Sequence, residues 1–192
     1  MKKNNNITIK IIAGKYKNSI IKLPALETTR STKTIMKESL FNTLQFDVVD
    51  ENFVEVFGGS GSMGIEALSR GAKHAYFFEK DKEAFKILRE NCLNIAKNET
   101  TCIRGNSFEE FPRFLNTLKQ ASYFYFDPPF SIREGMEEIY ENTLKLIEII
   151  PKNLSLMIIV EHMSAQKMPD TIGEYTIKKT KKFGKSSLTY YI

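Results

Sequence analysis

Residues 53–64, Phe53-Val54-Glu55-Val56-Phe57-Gly58-Gly59-Ser60-Gly61-Ser62-Met63-Gly64, decide how the rest of the chain is read. A short apolar run ends in a cluster of glycines, and the helical spacing of Ile65, Ala67 and Leu68 begins at once. Gly59, Gly61 and Gly64 satisfy G-x-G-x-x-G in the strand–turn–helix setting where that spacing carries meaning. Missing side chains let backbone approach a ligand closely, and the helix N-terminus behind them presents free N–H groups. The unit is one strand, one ligand-binding turn and one helix of an α/β protein.

Outward from that unit the same rhythm repeats. Residues 75–78 form a second apolar run, followed by helical spacing over 82–96 through Ala84, Phe85, Leu88, Cys92 and Ile95. Residues 101–103, 123–126 and 154–160 are three further runs, with helices expected over 107–118 and near 134–150. Strands alternating with helices imply a parallel sheet covered on both faces. Ahead of this core, residues 7–12 and 20–23 read as a basic hairpin turning at 13–18, and Ser31 or Thr32 caps a helix over 33–45. Behind it, residues 175–182 and 186–192 turn at Phe183-Gly184-Lys185 as an antiparallel hairpin. The expectation is a basic hairpin extension over 1–30 and a single α/β domain over 31–192.

With 192 residues and 42% hydrophobic composition the chain can bury one core. No apolar run approaches the roughly 18 residues of a membrane span. The start, Met1-Lys2-Lys3-Asn4-Asn5-Asn6, is polar with no apolar leader core behind it, so a cytoplasmic protein is expected. Cys92 and Cys102 have no metal-ligand spacing and read as reduced thiols, while His74 and His162 stand alone; no metal site is expected. Charge is unevenly spread. Residues 1–46 hold nine Lys/Arg against Glu27 and Glu38, and residues 166–192 hold six Lys against Asp170 and Glu174, around a middle with more acids than bases. Two basic ends favour a polyanionic partner.

The glycine turn does not select its ligand unaided. A P-loop needs Lys and Ser/Thr after Gly64, where Ile65 and Glu66 stand, and a G-x-S-x-G elbow fails because Ser62 occupies its last position. NAD and a non-phosphorylated nucleoside such as S-adenosylmethionine remain. Glu79, closing the second strand, can accept hydrogen bonds from the ribose hydroxyls of either.

The fourth strand makes the choice. Tyr123-Phe124-Tyr125-Phe126 runs into Asp127-Pro128-Pro129-Phe130. Ligands of such sheets sit beyond the carboxyl ends of the strands, where Asp127 falls. Each proline has a fixed φ and no N–H, so the turn is rigid and its carbonyls face outward. A carboxylate and a proline-held carbonyl are two acceptors at a set separation, and Phe130 adds a flat face. That set suits a planar ring bearing an NH₂ group, whose hydrogens it holds while the lone pair faces an electrophile. In-line positioning of such an amine against a sulfonium methyl needs no metal.

These residues together resemble the amino-directed class I methyltransferases, and more closely the ribosomal RNA small subunit methyltransferase D family. Ile11-Ile12-Ala13-Gly14-Lys15-Tyr16 through Lys22-Leu23-Pro24 is similar to that family's N-terminal hairpin, and Arg30-Ser31-Thr32 with Lys37-Glu38-Ser39-Leu40-Phe41-Asn42 to its following segment. Gly64 to Ala72 resembles its G-x-E-A-L-S-R-G-A run, and Phe183-Gly184-Lys185-Ser186-Ser187-Leu188 its terminal motif. Ser31, Glu55 and Asn106 stand where the family carries Pro, Asp and Asp; Asn106 can still offer a carbonyl oxygen to an adenine amino group.

The resemblance implies a Rossmann-like class I methyltransferase fold: a seven-stranded, mostly parallel sheet with an antiparallel C-terminal hairpin. It implies S-adenosylmethionine at Glu55, Phe57, Gly58, Gly59, Gly61, Glu79, Asn106, Ser107, Phe108 and Asp127, with no metal. Asp127 and Pro128 would orient the amine and Phe130 would stack on the base. Lys15, Lys17, Arg30, Thr32, Lys181 and Lys185 would meet RNA or the cofactor's carboxylate. The implied reaction is methylation of guanine N2 in 16S ribosomal RNA, by a monomer acting on the 30S subunit or an assembly intermediate. Adenine-N6 or protein-glutamine methylation uses the same acceptors, but the N-terminal hairpin and the missing target-recognition domain of many DNA enzymes stand against it. An NAD-dependent oxidoreductase lacks room for a substrate domain, and a non-catalytic RNA-binding protein leaves Asp127-Pro128-Pro129-Phe130 without a purpose.

Overall fold

The computed structural model describes residues 7–24, 30–129 and 138–192, with side chains placed for all of these except 30–32. Strands β1 (Thr8–Lys10) and β2 (Ile20–Lys22) precede helix α1 (Arg30–Leu44). The alternating core follows: β3 (Asn52–Glu55), α2 (Ser62–Ser69), β4 (His74–Glu79), α3 (Lys82–Ile95), β5 (Thr100–Arg104), α4 (Ser107–Leu115), β6 (Ser122–Phe126), α5 (Ile139–Glu148) and β7 (Ser155–Met163). The chain closes with β8 (Thr171–Ile172), β9 (Tyr175–Phe183) and β10 (Ser186–Tyr191).

The strands align in the order β5-β4-β3-β6-β7-β10-β9-β8. The five from β5 to β7 are parallel, and β10, β9 and β8 run antiparallel to their neighbours. All seven expected strands of the sheet are present. The two-residue β8 adds an eighth at the edge, too short to leave a periodic pattern. From β3 the chain steps outward to β4 and β5, then crosses back to β6 and β7. The order therefore reverses between β3 and β6, which opens a crevice at their carboxyl ends.

Alternation along each strand divides the core in two. Tyr123 and Tyr125 of β6 join Phe53, Phe77, Ile159 and Tyr190 on the face covered by the N-terminal hairpin and α1–α3. Phe124 and Phe126 turn to the other face, among Phe78, Phe111, Phe114, Leu146 and Ile147. All five residues of β6 are buried, as in a central parallel strand covered on both sides. Strand β3 stops at Glu55, two residues short of the expected 57, because the Gly58 N–H turns across to the Phe78 carbonyl (2.7 Å).

The N-terminal hairpin belongs to this core. Ile11, Ile21 and Leu23 are buried with Leu40, Phe41 and Phe53. Its polar attachment centres on Glu66, fully buried in α2. The Glu66 carboxylate accepts from the Ile12 N–H (2.8 Å) and the Ala13 N–H (3.1 Å), and pairs with Arg70 Nε at 2.9 Å and Lys37 Nζ at 3.4 Å. One turn on, Ser69 Oγ accepts from the Tyr16 N–H (2.9 Å), and its carbonyl accepts from the Lys15 N–H (2.8 Å). Lys37 is itself buried, and burial lowers its pKa against the opposing pull of Glu66. Removing one partner from such a set leaves the others uncompensated. Glu66→Ala should lower stability by about 3–5 kcal/mol, with Glu66→Gln losing less because the amide oxygen still serves a backbone donor. Urea unfolding midpoints of the two variants check this.

Candidate active site

Strand register assembles the site. Glu55 of β3 pairs with Phe77 of β4 on one side and Tyr125 of β6 on the other. Two residues further along each strand come Phe57, Glu79 and Asp127. Arg104 of β5 pairs with Glu79, so Asn106 lies two residues beyond that row, just past the end of β5. Four of the side chains expected in the site thus leave the sheet along one edge, at the reversal of strand order.

The glycine loop is held from behind and beside. Glu55 is buried, and its Oε2 accepts from the Gly64 N–H in the first turn of α2 (2.8 Å). Glu79 Oε2 accepts from the Gly59 N–H (2.9 Å), and its Oε1 accepts from the Asp81 N–H (2.7 Å). Gly61 caps α2 at φ +77°, where a Cβ would also lie 2.6 Å from Leu88 Cδ1. Gly64 is excluded from bearing a side chain by the Phe77 ring, 2.4 Å from where its Cβ would be. These glycines therefore serve close packing of the loop on β4 and α3 as well as backbone access to a ligand.

Around the loop the surroundings are acidic and aromatic. Phe57 meets Phe108 edge-on, with centroids 5.7 Å apart at 62°, and meets Phe126 at 6.5 Å. Asn106 caps α4, its Oδ1 accepting from the Phe108 N–H (3.2 Å). Ser107 is buried and donates its hydroxyl to the Val56 carbonyl (2.6 Å), so it ties α4 to the exit of β3 and leaves Phe108 as the residue facing Phe57. A phosphate at a helix N-terminus needs open N–H groups and no negative neighbour. Here Glu55 takes the Gly64 N–H and Glu79 takes the Gly59 N–H. A carboxylate, an aromatic pair and a glycine turn fit an uncharged ribose and a flat base.

Asp127 is half-buried, with Pro128 buried behind it, and its Oδ2 pairs with Lys33 Nζ at 3.2 Å. Lys33, near the start of α1, was not among the expected site residues; a lysine in that position carries no mark in sequence. Across the sheet, the fully buried Tyr125 donates its phenol to Glu161 of β7. Burial first, then the charges of Glu161 and Asp127, push the Tyr125 phenol well above its usual range. Phe130 lies outside the described residues, as do the side chains of Arg30 and Thr32.

The expected RNA-facing lysines divide into two groups. Lys15 and Lys17 sit on the hairpin turn near the end of α2 and the start of β5, away from the carboxyl edge. Lys15 is engaged with Glu99, whose hydrogen bond raises the lysine's pKa. Lys181 donates to Ser39 Oγ (3.1 Å) and Thr43 Oγ1 (3.0 Å), bracing β9 against α1. Lys185 is exposed in the β9–β10 turn, whose first β10 residue, Ser186, pairs with Met163 at the carboxyl end of β7. Cys92 and Cys102 are free thiols. Among the described residues no group of three or more His, Cys, Asp or Glu could hold a metal, and no helix is long and apolar enough to cross a membrane.

A glycine turn after β3, an acid ending β4 and Asp127-Pro128-Pro129 after β6, on this strand order, define a class I S-adenosylmethionine-dependent methyltransferase. Residues 9–192 match the family described as Conserved hypothetical protein 95, and the chain belongs to it, as a member of the ribosomal RNA small subunit methyltransferase D family. Ribosomal RNA small subunit methyltransferase D of Escherichia coli (strain K12) is 32% identical over 152 residues, covering 77% of this chain and 72% of that one. The protein of the same name from Buchnera aphidicola subsp. Baizongia pistaciae is 28% identical over 197 residues, covering 100% of this chain and 96% of the relative. A solved Escherichia coli structure, of a proposed methyltransferase, superposes with TM-score 0.73 at 28% identity over 96% of this chain and 97% of that one. A proposed methyltransferase solved with SAH shares the fold at TM-score 0.71 and 10% identity, spanning 100% of this chain and 57% of its own.

If Asn106 is the cap that positions Phe108, Asn106→Ala should cost about 1 kcal/mol of stability without any ligand present. Asn106→Asp should keep most of it. Thermal unfolding of the ligand-free variants measures both.

Proposed function

We propose that this chain transfers a methyl group from S-adenosylmethionine to the exocyclic N2 amine of a guanosine in 16S ribosomal RNA. The observation that carries the proposal is Asp127-Pro128, held at the end of β6 beside the glycine loop and Glu79 in one row of strand ends. The names of the relatives, each a ribosomal RNA small subunit methyltransferase D, support ribosomal RNA as the substrate.

S-adenosylmethionine, when bound, supplies an electrophilic methyl on a sulfonium. Gly58, Gly59 and Gly61 would line it, Glu79 would take the ribose hydroxyls on lone pairs its backbone donors leave open, and Phe57 with Phe108 would flank the adenine beside Asn106. Glu55 would act from behind, by fixing the loop. Asp127 would accept one amino hydrogen of the target and the Pro128 carbonyl the other, so that the nitrogen lone pair faces the methyl. Lys33 holds Asp127 in place from α1 while leaving its carboxylate further lone pairs. Phe130 would stack on the base. Arg30, Thr32, Lys181 and Lys185 would meet phosphates at the same edge, with Lys15 and Lys17, on the hairpin turn at the other end of the sheet, outside that track. The substrate form would be the 30S subunit or an assembly intermediate, bound by a monomer in the cytoplasm.

Mapping N2-methylguanosine in ribosomal RNA from a strain lacking the gene tests the whole proposal. One modified guanosine should lose its methyl group and regain it on complementation. A missing N6-methyladenosine in its place would move the reaction to adenine.

Five variants test the parts. Glu79→Ala should weaken S-adenosylmethionine binding by ~1.5–3 kcal/mol in calorimetry, the range for hydrogen bonds to a charged group. Asp127→Ala should lower turnover by roughly 10²–10³ with little change in cofactor affinity, and Asp127→Asn should retain more activity because its oxygen still accepts. Lys185→Glu should reduce the slope of log affinity for RNA against log salt by about 0.7–0.9 for each phosphate it no longer neutralises. Lys15→Glu should change that slope less, since Glu99 already compensates its charge.

A further inference from the structure

Helix α3 carries a buried amide on the face that supports the glycine turn. Asn91 is only 2% exposed. Its Nδ2 donates one hydrogen to the Ser60 carbonyl (2.9 Å) and the other to the Lys22 carbonyl (2.9 Å). Its Oδ1 accepts from the Lys22 N–H (3.0 Å). Toward β2 the side chain thus makes the two backbone bonds that a neighbouring strand would make. Toward the glycine turn it holds the carbonyl of the residue between Gly59 and Gly61. Leu88, three residues earlier on the same face of α3, lies 2.6 Å from where a Gly61 Cβ would stand. Beside the amide, Glu90 pairs with Lys22 Nζ.

The turn needs such a hold because of its own composition. Gly59 and Gly61 both have positive φ, +49° and +77°, and the Gly61 N–H bonds back to the Gly58 carbonyl (2.7 Å). Glycine takes either sign of φ at similar cost, so the freedom that permits this turn also lets the Ser60–Gly61 peptide plane turn over. Glu79 and Glu55 hold peptides on either side of that plane, through the Gly59 and Gly64 N–H groups. Turning the plane over would take the Ser60 carbonyl away from Asn91 and the Gly61 N–H away from Gly58. Ser60 is itself buried, and a buried carbonyl that loses its donor costs free energy, so Asn91 favours one orientation over the other.

We propose that Asn91 is a positioning residue of the cofactor site: it selects one orientation of the Ser60–Gly61 peptide and couples cofactor binding at the glycine turn to the seating of the N-terminal hairpin. The inference rests on S-adenosylmethionine binding at that turn, as proposed above. One amide serves both sides, so whatever orders one side favours the other, and the coupling is reciprocal. A cofactor laid on the turn holds the Ser60 carbonyl toward α3, keeps Asn91 in place and secures the Lys22 backbone of β2. A hairpin loosened at β2 frees the amide and weakens the cofactor's hold on the turn. The element with two states is the Ser60–Gly61 peptide, and both sites bias it.

The test uses the full chain and S-adenosylhomocysteine, read by amide hydrogen exchange and calorimetry. Without ligand, Asn91→Ala should exchange about 10-fold faster at residues 20–23 and 58–64, with β6 and β7 unchanged. Its affinity for S-adenosylhomocysteine should fall on the order of 10-fold, the effect of one buried carbonyl left without its donor. In wild type the ligand should slow exchange at both 58–64 and 20–23; in Asn91→Ala it should slow 58–64 alone. Glu90→Ala, which releases the Lys22 ammonium but not its backbone, should keep wild-type affinity. Wild-type affinity in Asn91→Ala overturns the proposal, and so does ligand protection of 20–23 that survives the substitution. Should Asn91→Ala fail to fold, wild type decides. Ligand protection of 58–64 together with the Lys22 amide supports the proposal. Protection of 58–64 alone, or equal protection of the Ile12 and Ala13 amides that Glu66 holds, overturns it. If wild type binds no S-adenosylhomocysteine, the proposed function fails, and exchange in the ligand-free variant still judges the hold of Asn91 on the turn. If wild type binds and Asn91→Ala binds equally, only the role of Asn91 fails.

Discussion

The buried carboxylate of Glu66 sets the position of nearly everything on one face of the sheet. It takes two backbone N–H groups from the N-terminal hairpin, a guanidinium from its own helix and the ammonium of Lys37 from α1. A charge so placed is tolerable only when its lone pairs are filled, so hairpin, α1 and α2 must assemble together or not at all. One turn back from Lys37 on α1 is Lys33, which reaches Asp127. Two lysines four residues apart therefore fix α1 at two carboxylates, one structural and one at the edge where chemistry is proposed. The N-terminal hairpin is in this way connected to the site through α1, although its own turn lies at the far end of the sheet.

Acids divide the labour at the carboxyl edge. Glu55 faces inward and secures the first turn of α2, while Glu79 faces along the edge and secures the glycine loop. Each occupies an N–H that a phosphate would otherwise seek. This explains why a turn that satisfies a dinucleotide fingerprint suits a nucleoside without phosphates. It also suits a positively charged sulfonium, since net negative surroundings favour a cation and disfavour a polyanion. In the proposed reaction the basic ends of the chain would answer the opposite need, meeting a polyanionic substrate from outside.

Much of this was legible in the chain as written. Period-2 and period-3.6 patterns marked the seven main strands and the core helices, since burial on two faces demands uninterrupted apolar runs such as Tyr123–Phe126. Boundaries were less legible. Strand β3 ends early because Gly58 bonds across to Phe78, and β8 exists only because β9 offers it an edge. Ser107 shows a further limit. Expected beside the cofactor, it donates its hydroxyl to the Val56 carbonyl, a pairing made by the path of α4 that its sequence neighbours do not announce.

The alternating architecture, the glycine turn, the acid that closes the second core strand and the rigid Asp127-Pro128-Pro129 stop are all written along the chain. Those features are local: they follow from residue type, from backbone freedom and from spacing along one element. Which distant charges meet is a matter of packing in three dimensions. Lys33 finds Asp127, Tyr125 finds Glu161 and Glu66 gathers the hairpin, because strand register and helix packing bring together residues separated by 94, 36 and 54 positions. No pattern within an element encodes such pairings. They arise because a folded core has few places for a buried charge, and each must be met by whatever opposite group the packing delivers.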